Sequence, residues 1–156
     1  MSAPTHAERS VTIDAPPEAV YDLVADVTRM GEWSPECVRC EWQGEPGIVG
    51  SRFRGHNRSG PARWSTTAEV VTADRPNSFA FATLNGDKVG TRWTYTLRPT
   101  DGGTELSESF ESVSTPRLIA LAERLFVRHR QEQLEEGMER TLAAIKAVAE
   151  AGGDAR

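Results

Sequence analysis

Glu108 has the sequence setting best suited to acid–base chemistry. In the segment GTELSESFES, Leu106 and Phe110 lie on one face of an alternating strand, and Glu108 lies between them on that face. A carboxylate that faces a covered apolar surface must be paired or have a raised pKa, and such carboxylates are frequent at functional sites. An ion pair with Arg124 or Arg128, or a bulge that turns the residue outward, would remove the anomaly. Glu108 is therefore a candidate catalytic residue, and the ion pair and the bulge are the alternative, purely structural explanations.

His129 is the second candidate acid–base residue. It lies in the polar segment RHRQEQ of a predicted helix. An imidazole beside a buried carboxylate could move protons. Exposure to solvent on the polar part of the helix is the alternative interpretation.

Two cysteines, Cys37 and Cys40, form a C-x-x-C pattern. The segment CVRCEW predicts a strand, in which positions three apart point to opposite faces. A structural zinc site would need two more ligands, and the three histidines are far apart in the sequence. We therefore predict one buried thiol, one exposed thiol and no metal site. Phosphate-loop, dinucleotide and serine-nucleophile motifs are also missing from the sequence, so no cofactor is expected.

The arginine-rich stretch from Gly50 to Val70 predicts two strands joined by a turn. If Phe53 points inward, Arg52 and Arg54 point to the other face, which favours an ordinary solvated side of a sheet. Asn57 is the exception, because it shares the inner face near the turn. It could contact a ligand or cap the turn.

The order of elements predicts an α+β fold. RSVTIDA predicts a first strand, residues 17–33 one short helix or two joined at Asp26, and the segment from Cys37 to Val113 six antiparallel strands. Thr115 and Pro116 predict the start of a long terminal helix. We expect one domain over 1–156, with an ordered core of about 8–150, in which this helix covers the apolar face of the sheet.

Charge and hydropathy exclude some partners. The chain of 156 residues carries 23 acidic and 18 basic residues, a net charge of −5, which disfavours binding to phosphate backbones. No window is apolar enough for a membrane helix, and the amino end does not resemble a signal peptide. The expectation is a cytoplasmic protein without nucleic-acid binding or membrane insertion. Two chains could pair through an exposed sheet edge as a homodimer.

Four segments resemble a known family: VTIDAPPEAVYDLVADVTRMGEWSPE, FRGHNRSGPARWSTT, TRWTYTLRPTDGGTELSESFE and GMERTLAAIKAVAE. They are similar to the polyketide cyclase/dehydrase branch of the SRPBCC, or START-like, superfamily. The resemblance implies a helix-grip fold, in which a seven-stranded antiparallel sheet wraps around the long carboxyl-terminal helix and encloses a cavity. It does not supply a reaction, because one fold can host many functions.

A cavity in this fold favours binding of a hydrophobic small molecule: a lipid, a fatty acyl chain or a polyketide-like aromatic. The alternatives are a polyketide aromatase/cyclase or dehydrase that uses Glu108 or His129, and a protein-interaction or regulatory module. The same residues could also form a plain packed core. The candidate ligand-binding residues are Trp33, Phe53, Asn57, Trp64, Thr66, Phe81, Trp93, Tyr95, Phe110 and Leu125.

Overall fold

One antiparallel sheet of seven strands forms the body of the protein. The computed structural model describes residues 6–35, 37–86, 88–112 and 127–154. The strands are β1 (His6–Ile13), β2 (Cys37–Trp42), β3 (Arg52–Ser59), β4 (Ala62–Asp74), β5 (Ser78–Asn85), β6 (Lys88–Thr100) and β7 (Gly103–Ser112). Their order in the sheet is β1-β7-β6-β5-β4-β3-β2, so β1 and β2 form the two edges. The predicted seven-stranded antiparallel sheet is confirmed.

Three helices accompany the sheet in the described residues: α1 (Pro17–Ala25), a 3-10 helix (Val27–Glu32) and α2 (Val127–Asp154). Pro17 occupies the first turn of α1, where its missing N–H costs nothing. Asp26 separates α1 from the 3-10 helix, and its Oδ1 accepts a hydrogen bond of 3.2 Å from the N–H of Thr28. Two short helices joined at Asp26 were one of the predicted arrangements. The predicted helix start at Thr115 and Pro116 lies outside the described residues.

The carboxyl-terminal half of α2 supplies the main contact between the helix and the core. Leu142 and Ile145 are fully or almost fully buried there, in one cluster with Ile13, Phe79 and Leu106. The hydroxyl of Thr141 is not free, because it donates a 2.8 Å hydrogen bond to the carbonyl of Gly137 one turn earlier. Because Gly137 has no side chain, the helix leaves space above the sheet at this position.

The outer face of β3 and β4 is polar, as the arginine-rich stretch predicts. Arg52, Arg54, Arg58 and Arg63 are all exposed. Arg52 pairs with Glu69 on the neighbouring strand at 3.1 Å. Exposed pairs of this kind contribute at most about 1 kcal/mol. These arginines therefore belong to the solvated side of the sheet.

A bulge in β2 overturns the prediction for the cysteines. Cys37 lies opposite Asn57 and Arg39 opposite His56, so Val38 is an additional residue without its own partner. The bulge places Cys37 and Cys40 on the same face. Both are buried, and their Sγ atoms are 3.3 Å apart. The prediction of one exposed thiol was wrong because it assumed regular alternation.

Candidate functional site

A cavity of about 670 Å³ lies between the inner face of the sheet, the 3-10 helix and α2. This volume falls in the range of small-molecule sites. Strands β2 to β7 form one wall. Helix α2 forms the opposite side with Leu134, Gly137, Met138 and Thr141.

Glu108 is a buried carboxyl group in the wall of this cavity. The residue is only 4% exposed and lines the cavity. The hydroxyl of Tyr95 donates a hydrogen bond of 2.6 Å to Glu108 Oε2. Oε1 is shielded from solvent and has no hydrogen-bond partner among the described residues. One oxygen of the carboxyl group is therefore anchored, and the other is left for a partner.

The strand register explains why the carboxyl group is buried. Tyr95 lies directly opposite Glu108 in the regular β6–β7 ladder. Leu106 on one side and Phe110 on the other are buried on the same face of β7. The inward orientation agrees with the alternating sequence pattern, and no bulge turns Glu108 outward. The alternative ion pairs cannot be placed, since Arg124 and the side chain of Arg128 lie outside the described part of the chain.

Burial raises the pKa of Glu108 from its ordinary 4.5 to about 7, and the hydrogen bond from Tyr95 partly opposes this rise. The pKa of Tyr95 is raised well above its ordinary value, mainly by burial and then by the charge of Glu108. Tyr95 therefore remains a hydrogen-bond donor at neutral pH. Glu108 can donate or accept a proton in the same range.

Aromatic rings form the apolar part of the cavity. Phe53 and Phe81 meet edge to face, with ring centroids 5.2 Å apart. Trp64 lines the cavity but is 41% exposed, so it lies where the cavity meets solvent. Two candidate ligand-binding residues, Asn57 and Thr66, contact each other. The side-chain amide of Asn57 donates a 3.3 Å hydrogen bond to the hydroxyl of Thr66.

The structure brings nine of the twelve candidate residues together around the cavity. Phe110 does not line it, because its ring packs against Trp93 with a centroid distance of 5.5 Å, in a small cluster with Ala7 and Met138. Leu125 lies outside the described residues, as does the side chain of His129. The roles of these residues in binding or catalysis stay predictions. The nine lining residues are Trp33, Phe53, Asn57, Trp64, Thr66, Phe81, Trp93, Tyr95 and Glu108.

Sequence reasoning missed both cysteines as part of the cavity wall. Cys37 and Cys40 line the cavity beside Met30, whose Sδ is 3.9 Å from the Cys40 sulfur. The C-x-x-C spacing was visible, but nothing in the sequence identified Val38 as the bulge. In the described ranges, no group of three or more His, Cys, Asp or Glu side chains could hold a metal ion. None of the helices described is long and apolar enough to cross a membrane.

Comparison with known proteins gives the family. The family model described as "Polyketide cyclase / dehydrase and lipid transport" matches residues 4–150. No curated protein matches the sequence significantly. A Polyketide_cyc-like protein from Corynebacterium glutamicum, solved by NMR, is 34% identical, with 94% of this chain and 92% of that chain covered and a TM-score of 0.60.

Two aromatase/cyclase structures share the fold at lower identity. Zhui from a Streptomyces species is 18% identical, with 93% of both chains covered and a TM-score of 0.73. The di-domain ARO/CYC StfQ of the steffimycin biosynthetic pathway is 14% identical, with 96% of this chain and 52% of that chain covered and a TM-score of 0.74. With its family model matched over most of its length, the chain belongs to the polyketide cyclase/dehydrase and lipid transport family.

Proposed function

We propose that the protein binds a small molecule with a flat or elongated apolar body and a carbonyl or hydroxyl oxygen. The apolar body would lie between the sheet and α2, and the oxygen would pair with Glu108. One observation carries this proposal: a buried carboxyl group in the cavity wall is fixed by Tyr95 through one oxygen, while its other oxygen has no partner among the described residues.

The energetics favour such a ligand over a pure hydrocarbon. Burial of apolar surface stabilises a complex by about 25 cal/mol per Å² before the costs of association are subtracted. A hydrogen bond to the unpaired Oε1 removes part of the cost of burying that atom. With the pKa near 7, the protonated carboxyl donates to a carbonyl oxygen, and the ionised carboxylate accepts from a hydroxyl.

A matched pair of probes tests the proposal. Acetylnaphthalene carries a carbonyl group, and ethylnaphthalene has nearly the same shape without it. We expect the wild-type protein to bind the ketone up to about tenfold more tightly, as one hydrogen bond allows, when titrated below the pKa of Glu108. Glu108→Leu should bind both probes with similar affinity.

The control for this variant is Glu111→Gln, because Glu111 is exposed on the opposite face of the same strand. It should keep the preference for the ketone. Equal binding of both probes by the wild-type protein would contradict the assigned role of Glu108, and absence of binding by either probe would contradict an apolar binding cavity.

A second candidate function is enzymatic, and the raised pKa of Glu108 favours it. A carboxyl group that titrates near neutral pH could remove a proton from a carbon between two carbonyl groups, or protonate a departing hydroxyl group. Such steps would serve the cyclisation or dehydration of a poly-β-ketone. His129 stays a candidate partner for this proton transfer. Support comes also from Zhui and StfQ, whose names describe them as aromatase/cyclases.

Turnover of a synthetic poly-β-ketone thioester, followed by mass spectrometry of the cyclised product, separates the two functions. An enzyme should lose activity in Glu108→Gln by at least about 100-fold, while affinity for the thioester changes little. Glu111→Gln should retain the activity. Unchanged turnover in Glu108→Gln would exclude Glu108 as the acid or base, and binding without turnover by the wild-type protein would favour the carrier.

A further inference from the structure

Cys37 and Cys40 are a buried pair of thiols that the proposed binding and enzymatic functions do not use. Their sulfur atoms are 3.3 Å apart and both side chains line the cavity. Each residue is 7% exposed. We propose that Cys37 and Cys40 form a dithiol–disulfide site in the cavity wall, which a small-molecule disulfide oxidises reversibly.

Formation of this bond requires a local adjustment of β2. A disulfide requires a sulfur–sulfur distance of about 2.05 Å, so the two sulfurs must approach further. The bulge at Val38 supplies a place for this adjustment, because it interrupts the regular ladder between the two cysteines. Strand β2 is also an edge of the sheet and pairs only with β3. A small change in β2 therefore disturbs one ladder rather than two.

The two thiols differ in their chemistry. The contact between the two thiols lowers the pKa of Cys37, whereas the same contact, together with burial, raises the pKa of Cys40. The thiolate is the attacking species in thiol–disulfide exchange. These directions favour Cys37 as the attacking residue, with Cys40 at 3.3 Å to resolve the mixed disulfide.

The reaction balances in two exchange steps. The Cys37 thiolate attacks one sulfur of a disulfide RSSR, forms a mixed disulfide and releases one RS⁻. Cys40 then gives its proton to the released thiolate and attacks the Cys37 sulfur, which expels the second RS⁻. This thiolate takes up the proton that Cys37 had lost, so the protein loses two protons and two electrons, and RSSR becomes two RSH.

The route of the oxidant connects this site with the cavity. Because each cysteine is nearly closed to bulk solvent but lines the cavity, a disulfide reaches the sulfurs from the cavity side. A molecule bound in the cavity should slow the oxidation. The dithiol pair itself does not depend on what the cavity binds, so the test of oxidation is independent of the proposed function.

The experiment uses oxidised glutathione as the probe. The wild-type protein is incubated at several ratios of oxidised to reduced glutathione, quenched in acid, unfolded, treated with N-ethylmaleimide and weighed by mass spectrometry. We expect oxidised chains to lose two hydrogen atoms and take up no maleimide. Dithiothreitol should restore two reactive thiols. A chain that takes up two maleimides at every ratio, or that oxidises only to a dimer linked between chains, would overturn the proposal.

Single variants test the order of attack. Cys40→Ser should stop at a mixed disulfide with one glutathione on Cys37, since the resolving thiol is missing. Cys37→Ser should form its mixed disulfide at least about tenfold more slowly, because burial still disfavours the thiolate at Cys40 when the Cys37 thiol is gone. Equal rates in the two variants would contradict Cys37 as the attacking residue. The wild-type measurement still decides whether the pair forms a disulfide if either variant fails to fold.

Discussion

The phenol of Tyr95 donates a hydrogen bond of 2.6 Å to Oε2 of Glu108, the residue directly opposite it on the neighbouring strand. Both residues are buried, since Tyr95 and Glu108 are each 4% exposed. The hydrogen bond holds the carboxyl group in one orientation and uses one of its oxygens. The β6–β7 ladder therefore sets the position of this titratable group by placing its hydrogen-bond donor directly opposite it.

The pH dependence of stability should differ between the wild-type protein and Glu108→Gln. The pKa of Glu108 is raised from 4.5 to about 7 in the folded state, so the folded protein holds more protons than the unfolded chain between these values. Stability contributed by this group is therefore lost as pH rises through that window, by about 3 kcal/mol in total. Glutamine has no such titration.

Urea unfolding at several pH values measures this difference. As pH rises from about 4.5 to about 7, the wild-type protein should lose stability relative to Glu108→Gln. Above about pH 7 the difference between their free energies of unfolding should stay constant. Glu111→Gln, on the exposed face, is the matched control and should show no such trend. A pH-independent difference between Glu108→Gln and the wild-type protein would show that Glu108 titrates normally.

Removal of the Tyr95 hydroxyl should raise the pKa of Glu108 above about 7. The hydrogen bond from Tyr95 favours the ionised carboxylate, and Tyr95→Phe deletes only this donor. We also expect a loss of about 1–3 kcal/mol in the free energy of unfolding, because a buried oxygen loses its partner. NMR titration of the labelled Glu108 side-chain carbon measures the midpoint directly, and a midpoint that falls would contradict this role of Tyr95.

Much of the fold followed from periodicity in the sequence. Alternation in β7 correctly placed Glu108 inside with Leu106 and Phe110, because a regular ladder preserves a period of two residues. The same rule failed at Cys37 and Cys40, where one additional residue changes the face of every residue beyond it. Sequence patterns identify the faces of regular strands, but they do not locate bulges.

The cavity was predictable only in outline. Aromatic residues such as Phe53 and Phe81 fit a packed core as well as a binding site, and their pattern does not say how much space they leave. That space depends on how α2 lies over the sheet near Gly137, a tertiary relationship that no local pattern encodes. The hydrogen bond between Asn57 and Thr66 likewise required the register of β3 against β4.

Substitutions at Gly137 should separate helix stability from cavity volume. Among the described residues, a Cβ atom at this position would meet only Pro35 Cγ, at an ordinary distance of 3.9 Å. Gly137→Ala should therefore stabilise the protein by up to about 1 kcal/mol, as alanine favours a helix more than glycine does. It should leave the binding of acetylnaphthalene intact.

Gly137→Phe adds a large side chain on the helix face that lines the cavity. We expect this variant to fold and to lose at least about tenfold in affinity for acetylnaphthalene, because the ring occupies ligand space. Fluorescence titration of both variants measures this contrast. Full affinity in a folded Gly137→Phe variant would mean that the ligand binds elsewhere.

Gly31 controls how closely the 3-10 helix approaches the bulge in β2. A Cβ atom at this position would clash with the carbonyl oxygen of Val38, a backbone atom. Gly31→Ala should therefore destabilise the protein by about 1–3 kcal/mol and displace the bulge. Gly44→Ala is the matched control, since a Cβ atom there meets nothing within 4 Å among the described residues.

The Gly31→Ala substitution should also affect the thiol pair. Because the bulge holds Cys37 and Cys40 on one face, Gly31→Ala should slow oxidation of the pair by glutathione. Mass spectrometry measures this rate under conditions where the variant is folded. Oxidation at the wild-type rate in the folded variant would show that the cysteines meet without this close packing.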